Sequence, residues 1–278
     1  MPDIIVRVKN KTQLLTALSF EKVRTVIADY GCAQTDPALL KKETPEKKIY
    51  LQLPDVLREK RAGSVRQIAE RGALFDGIVI KNLDEIGLLK EMSRLGGPLD
   101  LEEKTIVGDA FLYAPNVAAL SFYRSLFPTM KFILNDELSD KECAMLIQEA
   151  EAKGAAFPSD FIYKAYGYQP LMITNQCLNR NYAGCMKPLM EFADEKKNRF
   201  LITSECGQCM DIVYNGQPTF MLDKVFENET GFRAGAFSFS NLLLDFTVET
   251  EEEMRTVLSG NGQIPFKMTR GHHYKEIE

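Results

Sequence analysis

The chain has 278 residues, 45% of them apolar and 26% charged, with a formal net charge of -5, a composition that fits a folded globular protein and excludes a disordered or collagen-like one. Net acidity removes any global attraction to nucleic acid, so an RNA partner has to be argued from a local site. No run approaches ~18 apolar residues and "MPDIIVRVKN" has no apolar h-region, so we expect neither a membrane span nor a signal peptide, and a cytoplasmic location.

In chain order, short β-branched runs alternate with helical spacing. Extended segments are predicted at residues 4–8, 25–30, 48–53, 77–81, 105–109, 131–135, 166–174 and 242–246. Helices are predicted between them from apolar spacing such as Leu88, Met92 and Leu95, and from the capping-box pattern Ser139 to Glu142. Repeated βα units imply a parallel sheet covered by helices. Eight such strands, with no GxGxxG and no GxxxxGK[ST] after the first, favour a closed TIM-type (β/α)8 barrel over an open doubly wound sheet. We read the whole of 1–278 as one barrel domain. The alternation breaks over 175–241, read as a cysteine-bearing insertion between the last two barrel strands, with an Asn-Gly turn at Asn215 and Gly216.

In a barrel the chemistry sits on loops at the carboxyl ends of strands. Asp29, Gln52, Lys81, Asn82, Asp109, Asn135 and Asp136 end predicted strands and would ring that mouth; each equally reads as a helix cap or a solvated loop residue.

Four of the six cysteines fall in one short stretch: Cys177, Cys185, Cys206 and Cys209. In a reducing compartment such clustering points to metal or redox chemistry rather than to disulfides. Thiolates select zinc, iron-sulfur clusters or copper(I), and four complete either a zinc site or a 4Fe-4S cluster. Zinc ribbons usually pair two tight knuckles, whereas only Cys206 and Cys209 are tightly spaced here, which tilts the reading toward a cluster. Cys143, in helical step with Leu146, Ile147 and Ala150, reads as core packing, and Cys32, just past a strand end, as a partly buried free thiol.

The segments "YGYQPLMITNQCLNRNYAGC", "FLITSECGQCMDIVYNGQPTFML" and "LLLDFTVETEEEM" resemble peptidase family U-32, the collagenase-like peptidases. "GDAFLYAPNVAAL", "ILNDELSDKE" and the closing "TRGHHYKEIE" are similar to further parts of the family pattern. The "E-x-F-x-x-G" signature of the standard peptidase module is missing, and the chain looks instead like the second, divergent barrel of long family members. The resemblance implies a TIM-type barrel, a 4Fe-4S cluster held by Cys177, Cys185, Cys206 and Cys209, and a part in oxygen-independent hydroxylation of RNA or of an aromatic ring. It also implies a partner U-32 subunit or module; no DNA partner is expected. The family name implies peptide hydrolysis as the alternative, and a non-catalytic zinc-binding barrel is the third reading.

For the cluster reading, the candidate catalytic residues are Arg180, Arg270 and His272. Candidate substrate contacts are Asn175, Gln176, Lys187, Tyr166, Tyr168, Asp109 and Asn116, with Tyr163 beside the other tyrosines as a stacking face. For hydrolysis the sequence is poor: it holds two histidines, His272 and His273, and no HExxH. A carboxylate pair among Asp29, Asp109 and Asp136 would be the substitute.

Overall fold

A computed structural model describes residues 2–32, 44–56, 68–95, 98–178, 180, 189–205, 210–222, 233–234, 237–260 and 267–269. The strands are β1 Asp3–Val8, β2 Val23–Asp29, β3 Lys48–Gln52, β4 Gly77–Ile80, β5 Thr105–Gly108, β6 Lys131–Ile133 and β7 Phe161–Thr174, followed by β8 Leu189–Ala193, β9 Arg199–Glu205 and β10 Met210–Phe220. Two short strands, β11 Arg233–Ala234 and β12 Phe237–Ser238, pair with each other, and β13 is Asn241–Asp245. From β1 to β7 each strand pairs in parallel with the next, and β13 pairs in parallel with both β7 and β1. Eight parallel strands thus close into a TIM-type barrel.

Closure follows from the period-2 alternation of side chains. One residue from each barrel strand points inward, and Ile5, Ile27, Tyr50, Val79, Val107, Ile133, Ile162 and Leu243 pack as a single apolar layer. Their chain neighbours, such as Val6, Val26, Leu51, Ile78, Ile106, Phe132 and Leu242, face outward into the larger core under the helices. Both faces of these strands are therefore apolar, as a parallel sheet buried on both sides requires.

The helices cover that outer face. Among the described residues they include α1 Lys11–Leu18, α2 Leu83–Leu95, α3 Val117–Leu126, α4 Asp140–Ala152 and α5 Glu251–Ser259. Their starts are set by side-chain caps: Asn10 for α1, Asn82 for α2, Asn116 for α3, and full capping boxes of Ser139 with Glu142 and Thr250 with Glu253 for α4 and α5. Cys143 packs in the core on the inner side of α4, as its spacing implied.

The departure from a plain barrel begins inside β7. At Tyr166 and Gly167 this 14-residue strand pairs with β13 and also with β10, so β10 takes the edge that β6 leaves. Past Gly167, β7 runs out of the barrel as the first strand of an antiparallel arm ordered β7, β10, β9, β8. Gly167 sits at φ +149°, and a Cβ there would lie 2.8 Å from the Asp245 backbone oxygen, so the exit from the barrel needs glycine.

The arm corrects two sequence expectations. It starts within β7 rather than at 175. Asn215 and Gly216 make no hairpin turn: they lie inside β10, which runs unbroken from Met210 to Phe220, and neither has the positive φ that a two-residue turn demands. Glycine is required at 216 for a different reason, since a Cβ would sit 2.3 Å from the Arg199 carbonyl oxygen on β9.

Candidate functional site

One step of two residues along each barrel strand leads from the apolar layer to the mouth, and the chemistry changes completely. The eight positions are Arg7, Asp29, Gln52, Lys81, Asp109, Asn135, Lys164 and Asp245; all but Asn135 are buried. Buried charges persist only when paired and hydrogen-bonded, and here they are. Arg7 Nη1 donates to Asp245 Oδ2 at 3.2 Å while Nη2 binds Asp109 Oδ2. Lys164 Nζ lies 2.7 Å from Asp136 Oδ2. Lys9, the next inward position after Arg7, lies 3.1 Å from Asp29 and 3.8 Å from Asp55, and Lys81 pairs with the other oxygen of Asp55. Gln52 Nε2 donates to Asp29 Oδ2 at 3.2 Å.

The electrostatics follow from this pairing. Burial alone would push the Asp55 carboxyl up, but Lys81 and then Lys9 outweigh it and hold it at about 2. Burial would likewise discharge Lys9, yet Asp29 and the neighbouring acids raise its pKa well above the usual lysine value. Two carboxyls behave oppositely. Burial lifts Glu85, whose Oε2 accepts from the Lys81 backbone N–H, to about 7, and it lifts Glu249, which accepts from Tyr166 Oη at 2.8 Å, to about 7.

The arm folds across this mouth. Pro170 and Ile173 of β7 and Ile212 and Tyr214 of β10 face Arg7, Lys9, Gln52 and Lys81 across a cavity of about 30 Å³, room for one or two water-sized groups. An ion pair of 3.8 Å joins Lys9 to Glu205, the last residue of β9. Under this roof Arg7 Nε, Gln52 Oε1, Asp245 Oδ1 and Thr247 Oγ are buried and find no hydrogen-bond partner among the described residues. All four residues line the cavity, and each such unpaired group costs about 1–3 kcal/mol.

The registers of the arm bear on the cysteines. Cys185, Cys206 and Cys209, with Lys187, Arg270 and His272, lie outside the described residues; Cys177 lies within them and is half-buried, its sulfur accepting from the Arg180 N–H at 3.4 Å. Thr174 pairs with Asp211, Asp211 with Ser204, and Met210 with Glu205; Thr203 pairs in turn with Leu189. Cys177 comes three residues after Thr174, Cys206 and Cys209 fall between the paired Glu205 and Met210, and Cys185 comes four residues before Leu189. The chain leading into all four cysteines is thus gathered at one end of the arm. The Leu178 N–H donates to the buried Asp211 Oδ2 at 2.6 Å, fixing the Cys177 side of that end to β10.

Other candidates are sorted by their contacts. Asp109 stands in the mouth. Asn175, Gln176 and Arg180 are exposed beside Cys177. Asn116 instead accepts from the Ala119 N–H as the cap of α3, and Asn82 and Asn135 likewise bond nearby backbone N–H groups; the bland reading holds for these three. Tyr166 and Tyr163 offer no stacking face at the mouth. Both point outward under the helices, fully buried, with their hydroxyls on Glu249 and Asp140 and their rings against Phe246 and Phe239. Tyr168 is buried against Ile212 and Tyr214 at the root of the arm. Cys32 is buried at the foot of the β2 loop, and burial and then Asp29 push its thiol up to about 12. Asp29, Asp109 and Asp136 each ion-pair with a different cation, Lys9, Arg7 and Lys164, rather than with one another.

Sequence reasoning missed Arg7, Lys9, Asp55, Lys164 and Asp245. The signal was present: Arg7 follows Ile5, Lys164 follows Ile162 and Asp245 follows Leu243 by two, so each continues the inward face of a strand whose previous inward residue is apolar.

Fold and site define an α/β barrel of the TIM type, with a charged, paired mouth and an antiparallel arm laid across it. No family model and no curated protein matches the chain. Among solved structures it is similar to the glycerol uptake operon antiterminator regulatory protein of Listeria monocytogenes, with 14% identity over 58% of this chain and 79% of the other, at a TM-score of 0.36. A likeness of that size assigns neither activity nor ligand. Among the described residues no helix is long and apolar enough to cross a membrane.

Proposed function

We propose that the chain is a cytoplasmic protein of the peptidase U-32 type in which Cys177, Cys185, Cys206 and Cys209 hold a 4Fe-4S cluster, and that it takes part in oxygen-independent hydroxylation of RNA or of an aromatic substrate. The observation that supports this is the arm's register, which brings the chain flanking all four cysteines to one end. Four cysteines whose flanking chain meets at one end of one small sheet suit a cluster, which when bound supplies one-electron transfer. The protein's own residues do the rest. Lys9 and Glu205 tie the cysteine end to the mouth, the arm's Ile173 and Ile212 keep that mouth dry, and the Arg7 network orients what enters. A second U-32 module or subunit belongs to the same reading as a partner.

Hydrolysis has less to stand on, because the three acids that would have formed its catalytic pair are each bound to a separate cation. Anaerobic purification with iron, sulfide and zinc analysis tests the proposal. Iron and sulfide in 4Fe-4S proportion, lost in Cys206→Ser and in Cys209→Ser, is the expected result; stoichiometric zinc without iron would sink the cluster and leave the zinc-binding barrel.

A further inference from the structure

The four unpaired atoms under the arm are of mixed kind. Arg7 Nε is a donor, Gln52 Oε1 and Asp245 Oδ1 are acceptors, and Thr247 Oγ is either. The cations of the mouth are already committed: Arg7, Lys9, Lys81 and Lys164 face Asp29, Asp55, Asp109, Asp136, Asp245 and Glu205. Among the described residues six carboxylates face these four cations, so none of the four is left over to hold a phosphate or carboxylate. An ammonium group would satisfy the acceptors, but it would leave the Arg7 N–H unmet and sit among the cations. A group that is neutral and carries a carbonyl beside an N–H meets both kinds of atom at once.

We propose that the barrel mouth binds a neutral amide-type group, a carboxamide or a ring lactam, whose carbonyl accepts from Arg7 Nε and Thr247 Oγ and whose N–H donates to Asp245 Oδ1 or Gln52 Oε1. The cavity of about 30 Å³ takes only that polar edge. The rest of the ligand leaves past Phe111, which lines the cavity and is 42% exposed, and under Pro170 and Ile173 of the arm; those apolar faces favour a flat ring behind the amide edge. Leaving the buried atoms unpaired is what makes the site selective, since a ligand that lacks one partner cannot release their cost.

The inference deepens the proposed function by naming the group its substrate presents at the mouth, but it does not need the cluster. Four probes test it by ligand-observed NMR on the purified chain: 2-pyridone, benzamide, benzoate and benzylammonium. The two amides are expected to bind and the two ions to bind at least about tenfold more weakly. Gln52→Met and Thr247→Val remove one partner each and should weaken the amides by about tenfold while the melting temperature holds. Benzoate or benzylammonium binding as well as the amides, no binding of either amide, or unchanged amide affinity in both variants overturns the assignment. Iron content is read in the same samples: amide binding by an iron-free protein overturns the cluster and keeps this site, and an iron-loaded protein that ignores both amides does the reverse.

Discussion

Two layers of the same barrel lie two residues apart on every strand and share almost nothing. Ile5, Ile27, Val79 and Leu243 pack an apolar layer in which every contact is interchangeable dispersion and burial. Arg7, Asp29, Lys81 and Asp245, the next inward residues, form a layer in which each charge depends on a named partner. The first layer closes the barrel and tolerates hydrophobic replacement. The second adds little net stability, because ion pairing must first offset desolvation; its placement under the arm makes sense as a binding surface.

That contrast can be broken most sharply at Arg7. Arg7→Ala leaves Asp109 and Asp245 buried without their cation and should destabilise the fold by about 3–5 kcal/mol, measured by urea denaturation. Replacing the group with apolar residues of similar shape, Arg7→Met with Asp109→Leu and Asp245→Leu, should recover much of that loss. In the apolar layer Leu243→Ala should cost about 2–5 kcal/mol through the cavity it leaves, and that cost should be the same at low and high salt. A salt-dependent Leu243→Ala or a harmless Arg7→Ala would erase the distinction between the layers.

Acidity sharpens the comparison further. Glu249 has its folded pKa raised from 4.5 to about 7 by burial, so between those values the folded state holds a proton that the unfolded state has released. Stability should therefore fall as pH rises from about 4.5 to about 7. Asp55 has the opposite sign: held at about 2 against an ordinary 3.8, it contributes stability that is lost as pH falls through that lower window. Glu249→Gln should remove its share of the decline toward neutral pH, leaving the share of Glu85, whose carboxyl is also raised to about 7, and the acid limb in place, as read from melting temperatures across pH. The smallest effect belongs outside both layers, at Asn116→Ala, which removes the α3 cap and should cost about 1 kcal/mol without altering any binding at the mouth.

Strand positions were legible in the sequence because β-branched runs such as "IIVRV" and "GIVIK" are buried on both faces and need no partner to be recognised. The capping boxes were equally legible, being local. What the sequence hid was non-local. Asn215-Gly216 has the letters of a turn, but the carbonyl of Arg199 on the adjacent strand decides its use. Tyr163 alternates with the inward Ile162 and Lys164, and Tyr166 follows a register shift opposite Leu243 and Leu244, so both stacking candidates became outer core. Strand β8, "LMEFA", lacks β-branched residues and is placed by its antiparallel pairing with β9. At the mouth, Asp29, Gln52, Lys81 and Asp109 were found by their positions at strand ends, while Arg7 and Asp245, which stand equally near the ends of 4–8 and 242–246, are marked by the inward alternation.

The central proposal, that the four cysteines act together, rests on the register of the arm. Its most direct test is the metal content of the anaerobically purified chain. Iron and acid-labile sulfide in equal amounts, in the 4Fe-4S proportion, is the predicted result, with all of it lost when any one of Cys177, Cys185, Cys206 or Cys209 becomes serine. A protein that carries no metal, or that keeps its full iron when Cys206 is replaced, would contradict it.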